Sequence, residues 1–262
     1  MIMFVYRVNQ SALHRVAYCS QYLSQIKLFF FDSSNLFCLT CKMTAKKNLV
    51  FFDVDYTLID GNSGLYATKR LIQHGLFKKR RLLQALYYTT AALIKDQNVT
   101  KIYQIALKDM IGMHIEEVLK IGQECLQKDL LKRLKNKAIT LLKNHQKKGD
   151  HIVLLTSGSQ MIMQNLAQHL GVDEFYCITP QTRNNIITAE LSMPLCYAEG
   201  KIHYAKIAAQ KNNLDLSEAY FYTDHHTDIP LLELVGHPHC VDPNGKLKRY
   251  ALNKGWPVHY FK

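Results

Sequence analysis

The chain has 262 residues, 48% hydrophobic and 21% charged, the composition of a folded globular protein with room for one ordinary domain and a smaller insertion. Its formal charge of +12 attracts phosphorylated metabolites, anionic lipid surfaces or nucleic acid alike, but no stacking-aromatic module, zinc finger or helix-turn-helix accompanies it, so nucleic acid is not the expected partner. Seven cysteines without a close-spaced framework point to free thiols and a cytoplasmic setting, and no apolar run approaches the roughly 20 residues a membrane-spanning helix needs.

Residues 1–42 are read as a poorly ordered or additional N-terminal segment. They hold no clear motif and no signal-peptide order of basic end, apolar core and small-residue cleavage site. Met43 starts TAKKNLVFFD, so a chain beginning there is expected to fold. Cys38 and Cys41 form a CxxC without a second pair at zinc spacing, and LFFFDSSN echoes the next strand without its second aspartate.

The segment LVFFDVDYTLID, residues 49–60, begins as a strand buried on both faces, because it is apolar without alternation. Asp53 then falls at the strand's carboxyl end, where open α/β sheets bind ligands. Asp53 and Asp55 can hold a hard cation such as Mg²⁺, or divide labour between attack and proton transfer; two such aspartates are also found as plain helix caps. From residue 61 to 146 the pattern turns helical, with apolar faces at Leu65, Ala67, Leu71 and Ile72, at Leu82, Leu83, Leu86 and Tyr87, and at Ile102, Ile105, Ala106 and Met110. Gly75, Gly112 and Gly122 read as punctuation between them.

Residues 151–155 are a second apolar strand, ending in Thr156, Ser157, Gly158 and Ser159, whose hydroxyls and amides can grip phosphoryl oxygens. A helix follows through Ile162, Leu166 and Leu170, then a strand at 175–178 and a small hairpin within 185–195. Lys201 opens the next helix and can neutralise Asp53 and an incoming phosphate. A strand at 219–223 delivers Asp224 and, one turn later, Asp228. Asp224 can complete a Mg²⁺ site with Asp53 and the Asp55 carbonyl, while Asp228 orients a metal water or holds Lys201. The helix through Leu231 and Leu234, a short strand at 239–241 and a basic helix at 247–252 close the pattern. His225 and His226 are given loop roles, and His237 and His239 lack the i, i+4 geometry of a helical metal pair. Basic clusters at residues 78–81, 132–137 and 246–249 and at Lys147 with Lys148 are taken as solvated faces; peripheral contact with anionic lipid stays open, as does oligomeric state.

With DVDYTL, LLTSGS, EGK and TDHHTD in this order, residues 46–260 resemble the haloacid dehalogenase-like hydrolases, subfamily IB, in the branch that includes phosphoserine phosphatase. The resemblance implies a Rossmann-like parallel α/β sheet core (residues 43–60 and 147–262) with an inserted helical cap domain (61–146) that selects substrate. It also implies that Asp53 becomes a phosphoaspartate, that Asp55 acts as acid and then base, that Thr156 and Lys201 bind phosphate, and that Mg²⁺ is required. The expected activity is hydrolysis of a small phosphorylated metabolite, L-phosphoserine being the leading candidate; a phosphotransferase or mutase, or a non-catalytic phospholigand-binding protein, is the alternative. Thr227 stands where the family often has Asn, His225 and His226 replace small residues, and TSGS departs from the common glycine-rich form.

Overall fold

A computed structural model describes residues 26–32, 35–41, 47–77 and 99–261. The chain divides into two units, residues 1–46 and 47–262. In the first, β1 (Ile26–Asp32) pairs antiparallel with β2 (Asn35–Cys41), Ile26 opposite Cys41 and Asp32 opposite Asn35. The echo of the later strand in LFFFD is thus one arm of a hairpin. Met43, the side chains of Cys38 and Cys41, the helical face at residues 82–87 and the basic cluster at 78–81 lie outside the described residues.

The second unit is built on a parallel sheet of β3 (Leu49–Phe52), β4 (His151–Ser159), β5 (Glu174–Ile178), β8 (Tyr220–Thr223), β9 (His237–Val241) and β10 (Val258–His259), in the order β10-β9-β8-β3-β4-β5. Between β5 and β8 lies an antiparallel hairpin, β6 (Pro180–Arg183) with β7 (Ile186–Leu191). All four residues of β3 are buried, as expected of a central strand. Leu49 and Phe51 pack on one face with Val153, Leu155, Phe221, Ala205 and Leu247; Val50 and Phe52 pack on the other with Ile152, Leu154, Leu142 and Leu166. Burying each of these large apolar side chains stabilises the fold by about 1.5–3 kcal/mol, and helices on both faces are the economical way to achieve it.

The insertion opens with α1 (Ser63–Gln73), capped by Asn62, whose side chain accepts from the Leu65 amide. It continues with α2 (Val99–Leu107), α3 (Ile115–Cys125), a π-turn (Leu126–Leu130) and a 3-10 turn (Leu131–Arg133). The helix α4 (Asn136–Lys148) follows, and the 146/147 boundary read from sequence falls inside it; its buried Ala138, Leu142 and His145 face the core. Leu65, read as part of a packed face, is 66% exposed, because the buried stripe of α1 runs through Ser63, Ala67 and Leu71. Gly122 is not punctuation. It sits within α3, and a Cβ there would lie 1.8 Å from the Met161 carbonyl oxygen, so the glycine allows α3 to cross the helix α5 (Gln160–Leu170) at close range.

The other face of the sheet carries α6 (Gly200–Asn212), the short α7 (Ile229–Leu232) and α8 (Gly245–Lys254). No helix among the described residues is long and apolar enough to cross a membrane. Cys125, Cys177, Cys196 and Cys240 are free and buried.

Candidate active site

Register brings the site together. Phe52 stands opposite Leu154 of β4 and Tyr222 of β8, and the Asp53 amide continues the ladder to the Tyr222 carbonyl at 2.9 Å. Asp53, Thr156 and Asp224 therefore lie one or two residues beyond matched positions, on one rim, although β4 itself runs on to Ser159. After Asp53 the chain coils tightly: the amides of Leu58 and Ile59 both donate to the Val54 carbonyl, at 2.9 and 3.1 Å, and that of Tyr56 to the Gly61 carbonyl at 3.1 Å. Tyr56 takes a left-handed backbone, φ 58°, to make this turn.

Lys201, at the start of α6 and 3% exposed, lies 2.9 Å from Asp53 Oδ1 and 2.7 Å from Asp228 Oδ2. The Thr223 hydroxyl donates to the same Asp228 oxygen at 2.6 Å. Burial opposes the lysine's charge, but Asp228 and Asp53 outweigh it and hold the ammonium above its ordinary range. Burial pushes Asp53 up to about 6, against the pull of Lys201. Asp224 is pushed up to about 8 by burial and then by the charges of Asp53 and Asp228. Thr57 Oγ1 lies 3.5 Å from Asp224 Oδ1.

Asp55 turns the other way, toward the insertion. Its Oδ1 accepts the Ser63 amide at 2.9 Å, at the N-terminus of α1, where the helix dipole favours an anion; burial nonetheless raises its pKa. The Thr156 hydroxyl accepts the Gly158 amide at 3.1 Å, curling the TSGS segment against α1. A Cβ on Gly158 would lie 2.7 Å from Met163 Cε and 3.3 Å from Ser63 Oγ, which is why this loop needs glycine here.

Each of the six residues singled out from sequence thus stands at this rim, in two groups. Asp53, Lys201, Asp224 and Asp228 form one electrostatic cluster with Thr57 and Thr223; Asp55 and Thr156 face the insertion. One ammonium faces three buried carboxylates, a deficit that a divalent cation would make good. Asp53 raises the pKa of Asp224, as one carboxylate does to another close by. Among the described residues no three His, Cys, Asp or Glu side chains are grouped to hold a metal by themselves. The hard oxygen donors at this rim that could hold Mg²⁺ are the carboxylates of Asp53 and Asp224, with a main-chain oxygen such as the Asp55 carbonyl.

Tyr103 was not singled out from sequence. From α2 its hydroxyl donates to the Ser157 carbonyl, and burial, then the charge of Asp55, raises its pKa. The only sequence signal was a hydroxyl among the apolar residues of that helix. A substrate carboxylate would call for Arg or Lys in the insertion, where Lys69, Arg70 and Arg81 are the candidates the sequence offers. Arg70 bonds to Asp129 at 2.6 Å and Glu124 at 3.1 Å, so its guanidinium is already engaged; Lys69 is exposed; Arg81 lies outside the described residues. His225 Nδ1 lies 2.9 Å from Thr227 Oγ1, and the Asn244 amide donates to His226 Nδ1 at 2.9 Å, contacts that brace the loop after Asp224. His237 and His239 stack on Tyr220 and Tyr222.

A family model described as haloacid dehalogenase-like hydrolase matches residues 50–233. A phosphoserine phosphatase of Mycobacterium tuberculosis is 25% identical over 216 residues, spanning 81% of this chain and 70% of that protein. A histidinol-phosphatase of Neisseria meningitidis is 26% identical over 225 residues, 82% of this chain and all of that one. Among solved structures, a protein of unknown function from Bordetella pertussis superposes with a TM-score of 0.74 at 23% identity, over 81% of this chain and 98% of that one.

Proposed function

The chain belongs to the haloacid dehalogenase-like hydrolases, and from that premise we propose that it is a Mg²⁺-dependent phosphomonoesterase working through a phosphoaspartate. The observation that carries the reading is Lys201 held between Asp53 and Asp228 beside the excess carboxylate of Asp224. Lys201 keeps Asp53 ionised as the nucleophile, and its charge meets that of the phosphate. Asp53 Oδ attacks phosphorus as the ester oxygen leaves; Asp55, whose burial favours the protonated form, gives that oxygen its proton. The same carboxylate then takes a proton from the water that cleaves the acyl phosphate. Thr156 and the Ser157 amide hold phosphoryl oxygens, and Asp228 fixes Lys201. Asp53, Asp224 and the Asp55 carbonyl would hold Mg²⁺, which would supply Lewis-acid neutralisation of the phosphoryl charge.

The helical insertion is assigned the choice of substrate, a small phosphorylated metabolite with L-phosphoserine first. Relatives named for phosphoserine and for histidinol phosphate are equally distant, at 25% and 26% identity, so histidinol phosphate stands beside it, with lipid head-group phosphates further off. Phosphate release measured over amino-acid, sugar, nucleotide, polyol and lipid phosphates with Mg²⁺ tests both levels. Stoichiometric free phosphate, lost on chelation and in Asp53→Asn, is the expected result. Transfer to a second hydroxyl would indicate a phosphotransferase, and binding without turnover a phospholigand-binding protein. A phosphoserine kcat/KM tenfold below that of another ester, about 1.4 kcal/mol of transition-state binding, would remove it from first place.

A further inference from the structure

Lys135 lies where the insertion rejoins the core, between the 3-10 turn and α4, and the chemistry above makes no use of it. Its side chain is 4% exposed and lies 2.7 Å from Asp242 Oδ2, itself on a 6% exposed side chain. The same ammonium donates to the main-chain carbonyl of Tyr56, the residue that separates Asp55 from Thr57. Tyr56 is held at φ 58°, a conformation uncommon for a bulky residue and one that persists where its surroundings enforce it.

Main-chain contacts reinforce this junction. The Lys135 amide donates to the Leu58 carbonyl at 2.9 Å and the Asp60 amide to the Arg133 carbonyl at 2.8 Å, with Ile59 bridged to Leu134. Asp242 is fixed in turn, its Oδ1 accepting the Phe261 amide at 3.1 Å and its own amide donating to the His259 carbonyl at 2.8 Å. A buried ion pair contributes little net stability over an apolar pair of similar volume, because desolvation offsets the attraction. What an apolar pair would not supply is a fixed donor for the Tyr56 carbonyl.

We propose that Lys135 is a positioning residue: through the Tyr56 carbonyl it holds the turn in the geometry that aims the Asp55 carboxyl at the leaving-group oxygen. The proposal rests on the assignment of Asp55 as the general acid. Proton delivery is then set at the junction of insertion and core, by a side chain that touches neither substrate nor metal.

The test compares phenyl phosphate, whose leaving group needs a proton, with p-nitrophenyl phosphate, whose leaving group needs one far less. Lys135→Met with Asp242→Asn removes the donor and leaves no buried charge unpaired. Lys135→Gln, too short to span to Tyr56, is the second variant should the first fail to fold. The expected result is a kcat/KM for phenyl phosphate reduced at least about tenfold more than that for p-nitrophenyl phosphate, the difference lying in kcat. Amide exchange over residues 55–59 is expected to quicken in the same variants. Equal losses on both esters, or no loss, would overturn the proposal. So would unchanged amide protection, which can be read even in an inactive protein. Failure of the unaltered chain to release phosphate from any ester would instead remove the phosphatase reading, leaving amide exchange to decide whether Lys135 holds the turn.

Discussion

Lys201 and Lys135 are both almost wholly buried, and each reaches a carboxylate at 2.7 Å, yet their surroundings differ in charge. Lys135 meets one carboxylate, and its spare donor goes to a backbone carbonyl. Lys201 meets Asp53 and Asp228 with Asp224 close by. A balanced pair can sit in a protein interior indefinitely; a cluster with surplus negative charge is costly to keep and is resolved by what binds there. The difference separates a framework contact from the cluster to which the proposed function assigns a cation and a phosphate.

The largest test of that contrast is Asp53→Asn, which relieves one surplus charge and removes the proposed nucleophile. Turnover should fall by at least about 10³-fold while cooperative unfolding in urea persists; near-normal phosphate release would show that the surplus serves another purpose. Removing either lysine comes next. Lys201→Met and Lys135→Met should each cost about 3–5 kcal/mol, the penalty for stranding a buried charge, measured by urea unfolding at neutral pH. Only the Lys201 variant should regain stability with added Mg²⁺, and equal responses would erase the distinction.

Acidity provides a third test. Asp53 and Asp224, raised from 3.8 to about 6 and about 8, keep protons in the folded state that the unfolded chain has released. Stability from this source is complete below pH 3.8 and is lost as pH rises through 6 and 8. The metal-free protein should therefore lose Tm between pH 5 and 8.5 relative to Asp224→Asn, at up to about 1.4 kcal/mol per pH unit, and Mg²⁺ should lift Tm more at pH 8 than at pH 5. The smallest effect is expected of Arg70→Ala: with its guanidinium already given to Asp129 and Glu124, turnover should stay within about twofold while stability drops slightly. A large rise in KM would place Arg70 at the substrate after all.

Much of this was legible before any coordinates. The unbroken apolar run at residues 49–52 placed a central strand, and an aspartate or hydroxyl after each apolar run placed the rim, because strand ends and turn chemistry are local signals. What escaped was set by distant partners. Gly122 looked like a helix break, and only the approach of Met161 shows otherwise. The two-residue β10 carries too little pattern to announce a strand and exists by pairing with β9. Tyr103 and Lys135 had no motif around them; their meaning comes from the carbonyls of Ser157 and Tyr56, 54 and 79 residues away. Arg70 was a candidate for substrate because sequence does not show that Asp129 would reach it first.

The strand order has a kinetic side. The strand that leads to Asp53, β3, is first of the six in the chain, yet its neighbours are β4 and β8, and Asp53 finds Lys201 across 148 residues, Thr57 finds Asp224 across 167. Such pairings close large loops and form slowly. Until α6 docks, Asp53 has no lysine beside it. In refolding from denaturant, helical signal and local collapse should return first and the ability to release phosphate last, so that recovery of catalysis times the arrival of β8 and α6 at a strand made long before them.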